Sequence, residues 1–462
     1  MAKFSRRKFI GYGLSTTGGG FLLKACAPDF SRLDTPAEDN STPTLPDQRD
    51  DSSREGTSAP ETADAADTTD TTDTTEIKVG LLHSLSGTLA ISEAPLVDAE
   101  LLAIEEINAA GGLLGKQLVP ITEDGASDWP TFAEKAEKLI SQRQVDVIFG
   151  GFASASRKAI LPVVTAQNKL LWYPGAYEGQ ECADAIFYAG PVANQQIEPA
   201  LNWMLSNQGK SFFLVSANER ITHDIVKAFL KKKGGKVAGE AFIPIENGSV
   251  LEMTSVINDI QQALPEGGVI FNSLAGAQNR TFFQSLSGAG LSADKYPVMS
   301  MRVSEAEVSQ IGKSFVEGHY ATWPYFQTVE IPQNEQWIET FHNRYGADRF
   351  VGGPMAAAYS MVQLWAQAVR QAESTQTSAV RAAAYGQTFN SPEGPITVEA
   401  NHHLSQKAYV GRVRADGLFD IVWGAEKAIA PNPWSQQLPD SQGFICDWRD
   451  PQKGEKFKPE AT

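Results

Sequence analysis

From Glu76 onward the chain alternates short apolar runs with amphipathic stretches of helical length, and this alternation constrains its fold more than any other feature. IKVGLL at 77–82 is short and apolar throughout, as a buried strand is. LVDAELLAIEEINAAGG at 96–112 spaces its apolar residues three and four apart and stops at a glycine pair, as a helix does. A strand at QLVPITED, a helix at WPTFAEKAEKLISQ, a strand at VDVIFGGF, a helix at SASRKAILPVVTAQ and strands at LLWYPG and AIFYAG continue the pattern. Strands joined by crossover helices predict a doubly wound, mostly parallel sheet.

A second series has the same alternation, with strands at SFFLVSA, KVAGEAFIPI, GGVIFNSL and YPVMSM between helical stretches, and predicts a second lobe of the same α/β class. Long helical runs at 332–345 and 354–373 need an apolar sheet to cover, so the strand-like GHYATWPYFQ at 318–327 should lead back to the first lobe. The segment 395–424 reads as antiparallel strands with a turn at Asp416-Gly417. The expected division is 76–190 plus 327–388 for lobe 1 and 191–326 plus 389–462 for lobe 2. Two such lobes joined by more than one crossover enclose a cleft that can hinge shut, and in open α/β sheets ligands sit beyond the carboxyl ends of the strands.

The residues before Glu76 are of another kind. Arg6-Arg7 in SRRKFIG, followed by a weakly apolar, glycine-rich stretch, reads as a twin-arginine export signal. LLKAC resembles a bacterial lipobox, which marks Cys26 for lipidation and closes the signal segment 1–26. Residues 27–75 are rich in Asp, Thr, Ser, Pro and Ala and contain almost no large apolar side chains, so they are expected to stay disordered. Such a leash reaches roughly 40 Å on random-coil scaling. The expected location is therefore extracytoplasmic, in the periplasm, with a lipid anchor at the membrane. The formal charge of −16 argues against nucleic acid as a partner, since phosphate binding calls for clustered Lys and Arg.

The sequence carries no phosphate-cradling G-x-x-x-x-G-K-[ST], no G-x-G-x-x-G after a strand and no G-x-S-x-G elbow. These gaps argue against nucleotide and hydrolase chemistry, so no catalytic residue and no cofactor are assigned. His402-His403 is the one histidine cluster; on a strand the two would point to opposite faces, which argues against a shared metal and for a solvated or structural pair. Cys182 and Cys446 are read either as a disulfide, as an exported protein permits, or as two free thiols.

The first-lobe strands end in small polar and aromatic residues: LLHSLSGT, FGGFASASRKA and LLWYPGAYEGQEC. Ser86 offers a hydroxyl in a tight turn, Ser154 and Ser156 lie where a helix begins, and Tyr173 offers a flat face and a hydroxyl. Such a set suits a small, neutral, planar ligand.

VGLLHSLSGTLAISE, EDGASDWPTFAEKAEKLI, LLWYPGAYEGQEC, PMAAAYSMVQLW and NHHLS resemble the urea-binding and short-chain-amide-binding proteins of ABC importers, a branch of the leucine-binding type. The resemblance spans about 76–450 and implies a type I periplasmic-binding-protein (Venus flytrap) fold, two doubly wound lobes joined by a multi-crossover hinge. It further implies no catalysis, and delivery of a small amide-like solute, urea or a short-chain amide, to permease and ATPase subunits. Family pocket positions fall here on Ser86, Ser154 and Tyr173, with Phe152 and Gly175 beside them. The second lobe departs from the family: SANERITHDI lacks the usual tyrosine, AGAQN lacks an acidic residue, and Ala356 stands where an acidic side chain is usual. Asn218 is the candidate from the SANERITHDI loop, and an inward Glu219 would instead favour a guanidinium compound. An amino acid ligand, or a sensor of the same fold signalling to a regulator, are the alternatives.

Overall fold

The computed structural model describes residues 75–217, 220–245 and 249–459. The readings placed on Arg6, Arg7, Cys26, Asn218, Glu219 and all but the last residue of the 27–75 segment lie outside the described residues. The first lobe is built from β1 (Glu76–His83), α1 (Ala90–Ala109), β2 (Gln117–Asp124), α2 (Trp129–Ser141), β3 (Val147–Gly150), α3 (Ser154–Ala166), β4 (Leu170–Tyr173) and β5 (Ile186–Tyr188). Its five strands are all parallel in the order β2-β1-β3-β4-β5, and the strand order reverses direction at β1. Strands buried on both faces explain the continuous apolar runs, as with Val147–Gly150, where every residue is buried.

The second lobe follows as α4 (Ile197–Asn207), β6 (Ser211–Ser216), α5 (Arg220–Lys233), β7 (Lys236–Phe242), α6 (Val250–Ala263), β8 (Val269–Ser273), α7 (Ala277–Gly288), β9 (Val298–Ser300), α8 (Glu305–Ile311), α9 (Lys313–Val316) and β10 (Tyr320–Trp323). The chain then returns to cover the first lobe with α10 (Pro332–Tyr345), α11 (Gly353–Ala372) and α12 (Thr377–Ala384). α11 lays Trp365 edge-on against Phe149 of β3, with ring centroids 5.6 Å apart. A three-stranded antiparallel sheet comes next, β11 (Thr388–Ser391), β12 (Gly394–Val398) and β13 (Leu404–Ser405). Finally β14 (Tyr409–Val413) and β15 (Phe419–Gly424) join the second lobe antiparallel to β10 and to each other, completing the order β15-β14-β10-β9-β8-β6-β7. The chain thus crosses between the lobes three times, after β5, β10 and β13.

One expectation is corrected. The segment from 389 to Ser405, assigned above to lobe 2, belongs with lobe 1, because Ile396, Val398 and Leu404 pack into the apolar cluster formed by α1, α11 and β1. Of the two alternatives for His402 and His403, solvated or structural, the structure shows the second: both precede β13 and are buried. His402 stacks on Phe187 at 4.2 Å and His403 on Tyr188 at 4.2 Å, while Tyr385 and Tyr177 hydroxyls contact their ring nitrogens at 2.9 and 2.6 Å. The tail beyond β15 also reaches the first lobe, where Cys446 and Cys182 form a disulfide across 264 residues of sequence.

Buried charge gives the fold a definite response to pH. Burial opposes a charge on His83, but Glu100, 2.8 Å away, and Glu93 outweigh it and raise its pKa to about 9. Burial alone pushes Glu393 up to about 8, and Glu305 rises to about 8 chiefly for the same reason. Burial holds His319, His402 and His403 down to about 3. Between 4.5 and 8 the two buried carboxyls keep protons that the unfolded chain releases, and between 6.5 and 9 His83 does the same, so stability falls as pH rises through those windows. The three depressed histidines bind protons only when unfolded, so they make stability fall as pH drops below 6.5 toward 3. Above about pH 6.5 the depressed histidines are neutral in both states while Glu305, Glu393 and His83 all still act in one direction, so Tm should decline from about pH 6.5 to 9. Thermal unfolding from about pH 4 to 9 measures this; a Tm that stays level above neutrality would contradict the assignment.

Candidate functional site

β3 and β4 run side by side, with Phe149 beside Trp172, and both end at the carboxyl edge of the first sheet. The chain after β3 turns directly into α3, and the chain after β4 passes beneath it as an irregular, largely buried loop, residues 174–185. These two segments face the second lobe across a cavity of about 370 Å³. Ala153, Ser154, Ala155 and Lys158 of α3 form one wall, Glu178 and Trp129 stand beside them, and Ala217, Arg220, Ile221 and Ile245 close it from the second lobe.

α3 begins without any side-chain cap. Its first-turn N–H groups have no intrahelical acceptor and lie at the positive end of the helix dipole, so this wall offers donors to an anion or a carbonyl. Glu178, 5 % exposed, presents a carboxylate beside it. It accepts the Ser154 hydroxyl at 2.6 Å, and Lys158 Nζ lies 3.8 Å from its other oxygen.

Behind the wall, Arg157 is wholly buried. Burial opposes its charge, but Glu181 outweighs that effect and keeps the guanidinium protonated; Nε donates to Glu181 at 2.7 Å and Nη1 to Ser154 Oγ at 3.3 Å. The same pairing holds the Glu181 carboxyl below its ordinary range against the contrary effect of burial. The guanidinium lies 4.3 Å from the Tyr177 ring and 5.0 Å from the Tyr173 ring.

The residues expected from sequence divide into three groups. Ser154 lines the cavity. Phe152, Tyr173 and Gly175 are packed together beneath it: the Tyr173 hydroxyl donates to the Phe152 carbonyl at 2.5 Å, and a Cβ at Gly175 would sit 2.4 Å from that oxygen. Tyr173 has no exposed surface, and burial pushes its phenol up to about 12, so it supports the wall from within and presents no face to the cavity. Ser86 does not line the cavity; it is exposed, and its hydroxyl donates to Asp124 at 2.7 Å, in a turn that Ser127 closes on the Ser86 carbonyl at 2.9 Å. Asn218 lies outside the described residues. Ala356, singled out for lacking an acidic side chain, is buried in the α11 core and lines no part of the cavity.

Sequence reasoning missed Trp129, Lys158, Glu178, Arg220, Ile221 and Ile245 as lining residues. It also missed Arg302, which reaches from the end of β9 to place Nη1 3.4 Å from the Phe152 carbonyl and its guanidinium 5.6 Å from the Phe152 ring. Glu178 carried one usable signal: it lies five residues after Tyr173, in the LLWYPGAYEGQEC stretch that follows a strand.

Residues 77–440 match the family model described as the periplasmic binding protein domain. The chain belongs to this family. Among known periplasmic binding proteins, Leu/Ile/Val-binding protein homolog 7 of Brucella abortus is 23 % identical over 291 residues, 59 % of this chain and 71 % of that protein. A solute-binding protein of an ABC transporter from Rhodopseudomonas palustris, solved with 3,4-dihydroxybenzoic acid, superposes with a TM-score of 0.69 at 19 % identity, over 77 % of this chain and 99 % of that one. A stretch of 123 residues is 39 % identical to a protein named limonene hydroxylase from Geobacillus stearothermophilus, but it spans only 27 % of this chain and 23 % of that protein. The fold of this periplasmic binding protein is the type I arrangement of two parallel-sheet lobes.

The lobes of the periplasmic binding protein touch directly where α7 begins. Ala277 N donates to Thr88 O at 2.9 Å, and Gly276, at φ 58°, leaves no room for a side chain because its Cβ would lie 2.2 Å from the same oxygen. Gly276→Val should therefore wedge the lobes apart, raising the radius of gyration in solution scattering. A variant with the radius of the parent would show that this contact does not limit closure.

Proposed function

We propose that the chain is the extracytoplasmic solute-binding component of an ABC importer, and that it closes on a small solute bearing both an N–H donor and a carbonyl or carboxylate. An amino acid with an apolar side chain fits the cavity best. The observation carrying this reading is that two unlike groups, the uncapped start of α3 and the Glu178 carboxylate, face one cavity. A carboxylate would take the α3 N–H groups, an ammonium would take Glu178, and an aliphatic side chain would lie against Trp129, Ile221 and Ile245. A volume of about 370 Å³ is at the small end for ligand sites but generous for urea. The name of the Brucella relative and the ABC-transporter solute-binding role of the Rhodopseudomonas protein support this reading. Arg6 and Arg7 would direct export, a lipid on Cys26 would tether the domain outside the membrane, and permease and ATPase subunits would receive the solute.

A second reading, urea or a short-chain amide, draws on the sequence resemblance and uses the same pair: carbonyl to α3, amide N–H to Glu178. It leaves the apolar walls uncovered. A guanidinium compound would satisfy Glu178 but bring a cation to the positive end of α3.

Thermal unfolding of the full chain with L-leucine, L-isoleucine, benzoate, urea and acetamide separates these. Leucine or isoleucine at a hundredfold excess over Kd should raise Tm by about 3 °C, and Glu178→Gln should remove most of the shift. A shift by benzoate that survives Glu178→Gln would count against an ammonium at Glu178, and a shift by urea or acetamide alone would favour the second reading.

A further inference from the structure

The loop that carries Glu178 into the cavity has neither strand nor helix between β4 and β5, yet most of it is buried. Buried backbone groups outside regular structure must find partners elsewhere. This loop is held from two sides, by side-chain pairs and by a backbone hydrogen bond. On the inner side Glu178 accepts from Ser154 at 2.6 Å and Glu181 from Arg157 at 2.7 Å. On the outer side the C-terminal tail holds the next residues: Gln180 N donates to Pro433 O at 2.7 Å, the Ser441 hydroxyl donates to the Gln180 side chain, and Pro433 packs so close to Gly179 that a Cβ there would lie 2.5 Å from its carbonyl oxygen.

The tail is itself fastened next to this loop by one covalent bond, Cys182 to Cys446. The other ties of the tail are exchangeable hydrogen bonds, among them Trp448 N to Ala400 O at 2.8 Å, Asn401 Nδ2 to Pro431 O at 3.1 Å, Asn432 N to Asn194 Oδ1 at 2.9 Å and Gln195 Nε2 to Ile429 O at 2.7 Å. A cavity of about 500 Å³, lined in part by Asn401, Cys446, Asp447 and Arg449, opens beside the bond and gives a reductant a way in.

We propose that the Cys182–Cys446 disulfide positions Glu178 through the tail, so that solute affinity depends on the redox state of a bond outside the cavity. The ligand part of this proposal rests on the reading of Glu178 given above; the positioning part does not. A dithiol reductant supplies two electrons and two protons, the S–S bond becomes two thiols, and the dithiol closes to its own disulfide. With the tail released, Gly179 and Gln180 lose their outer contacts, and Glu178 loses its fixed approach to the α3 wall.

Hydrogen–deuterium exchange on the folded full chain, before and after dithiothreitol and without solute, tests the positioning directly. Amides of 174–183 should exchange about tenfold faster after reduction, while β1 and α1 stay unchanged. Titration with L-leucine should show affinity falling about tenfold on reduction of the parent and not falling further in Glu178→Gln, because coupled changes are non-additive. Cys446→Ser should reproduce the reduced state, and if it does not fold, reduction of the folded parent supplies the same comparison. Unchanged exchange in the loop overturns the proposal whatever L-leucine does. Faster exchange with no L-leucine binding by the oxidised parent upholds the positioning and counts against the proposed ligand alone.

Discussion

The site depends on one buried cation. Arg157 lies on the second turn of α3, without solvent, and a lone guanidinium there would be expensive; it is tolerable because Glu181 meets it at 2.7 Å and the Tyr177 and Tyr173 rings cover its faces. The consequence is mechanical. Arg157 belongs to the helix after β3 and Glu181 to the loop after β4, so their pairing fixes the two segments that form the cavity wall. Tyr188 extends the network by donating to Glu181 at 2.9 Å, which ties in β5, and Tyr177 reaches His403 from the small antiparallel sheet. Removing one partner would leave an uncompensated charge, a loss of about 3–5 kcal/mol.

Closure is set by different contacts. Backbone meets backbone at Thr88 and Ala277, and Arg302 brings the second lobe to the Phe152 carbonyl, which already accepts the Tyr173 hydroxyl. The seam therefore ends on the same floor that supports the α3 wall. A shift of Tyr173 would move both the floor and the acceptor that Arg302 uses, so residues absent from the cavity lining still couple ligand seating to lobe approach.

Most of the fold was legible because parallel strands and crossover helices write their periodicities plainly, as at 77–82 and 96–112. The division at 389 was not, since β11 to β13 alternate like any edge sheet and only the apolar packing of Ile396, Val398 and Leu404 shows which lobe they cover. The site was half legible. Ser154 was placed by its position where a helix begins after a strand, although a serine there most often caps the helix; here its hydroxyl donates to Glu178 instead. Tyr173 misled because its type suits a ligand face, whereas neighbouring Arg157 and the Phe152 carbonyl claim both its ring and its hydroxyl. For His402 and His403 the sequence left a solvated and a structural role open, and only the aromatic rings of β5 that each lies against decide for the second. Such choices are made by residues more than two hundred positions away, which no local pattern records.

The two lobes divide the labour of recognition unequally. Every hydrogen-bonding group identified on the cavity wall except Arg220 comes from the first lobe, while Ala217, Ile221 and Ile245 of the second lobe are apolar. Polar groups on an open lobe compete with water and contribute little before closure, since a hydrogen bond to the solute replaces one to solvent. Closure changes that balance in two ways. On the proposed reading it would remove water from the α3 wall and Glu178, strengthening both, and would bury solute carbon against the second lobe at about 0.8 kcal/mol per methylene. The first lobe would thus choose the head group and the second would weigh the side chain, and the free energy that holds the lobes shut would come chiefly from the part of the solute that makes no hydrogen bond at all.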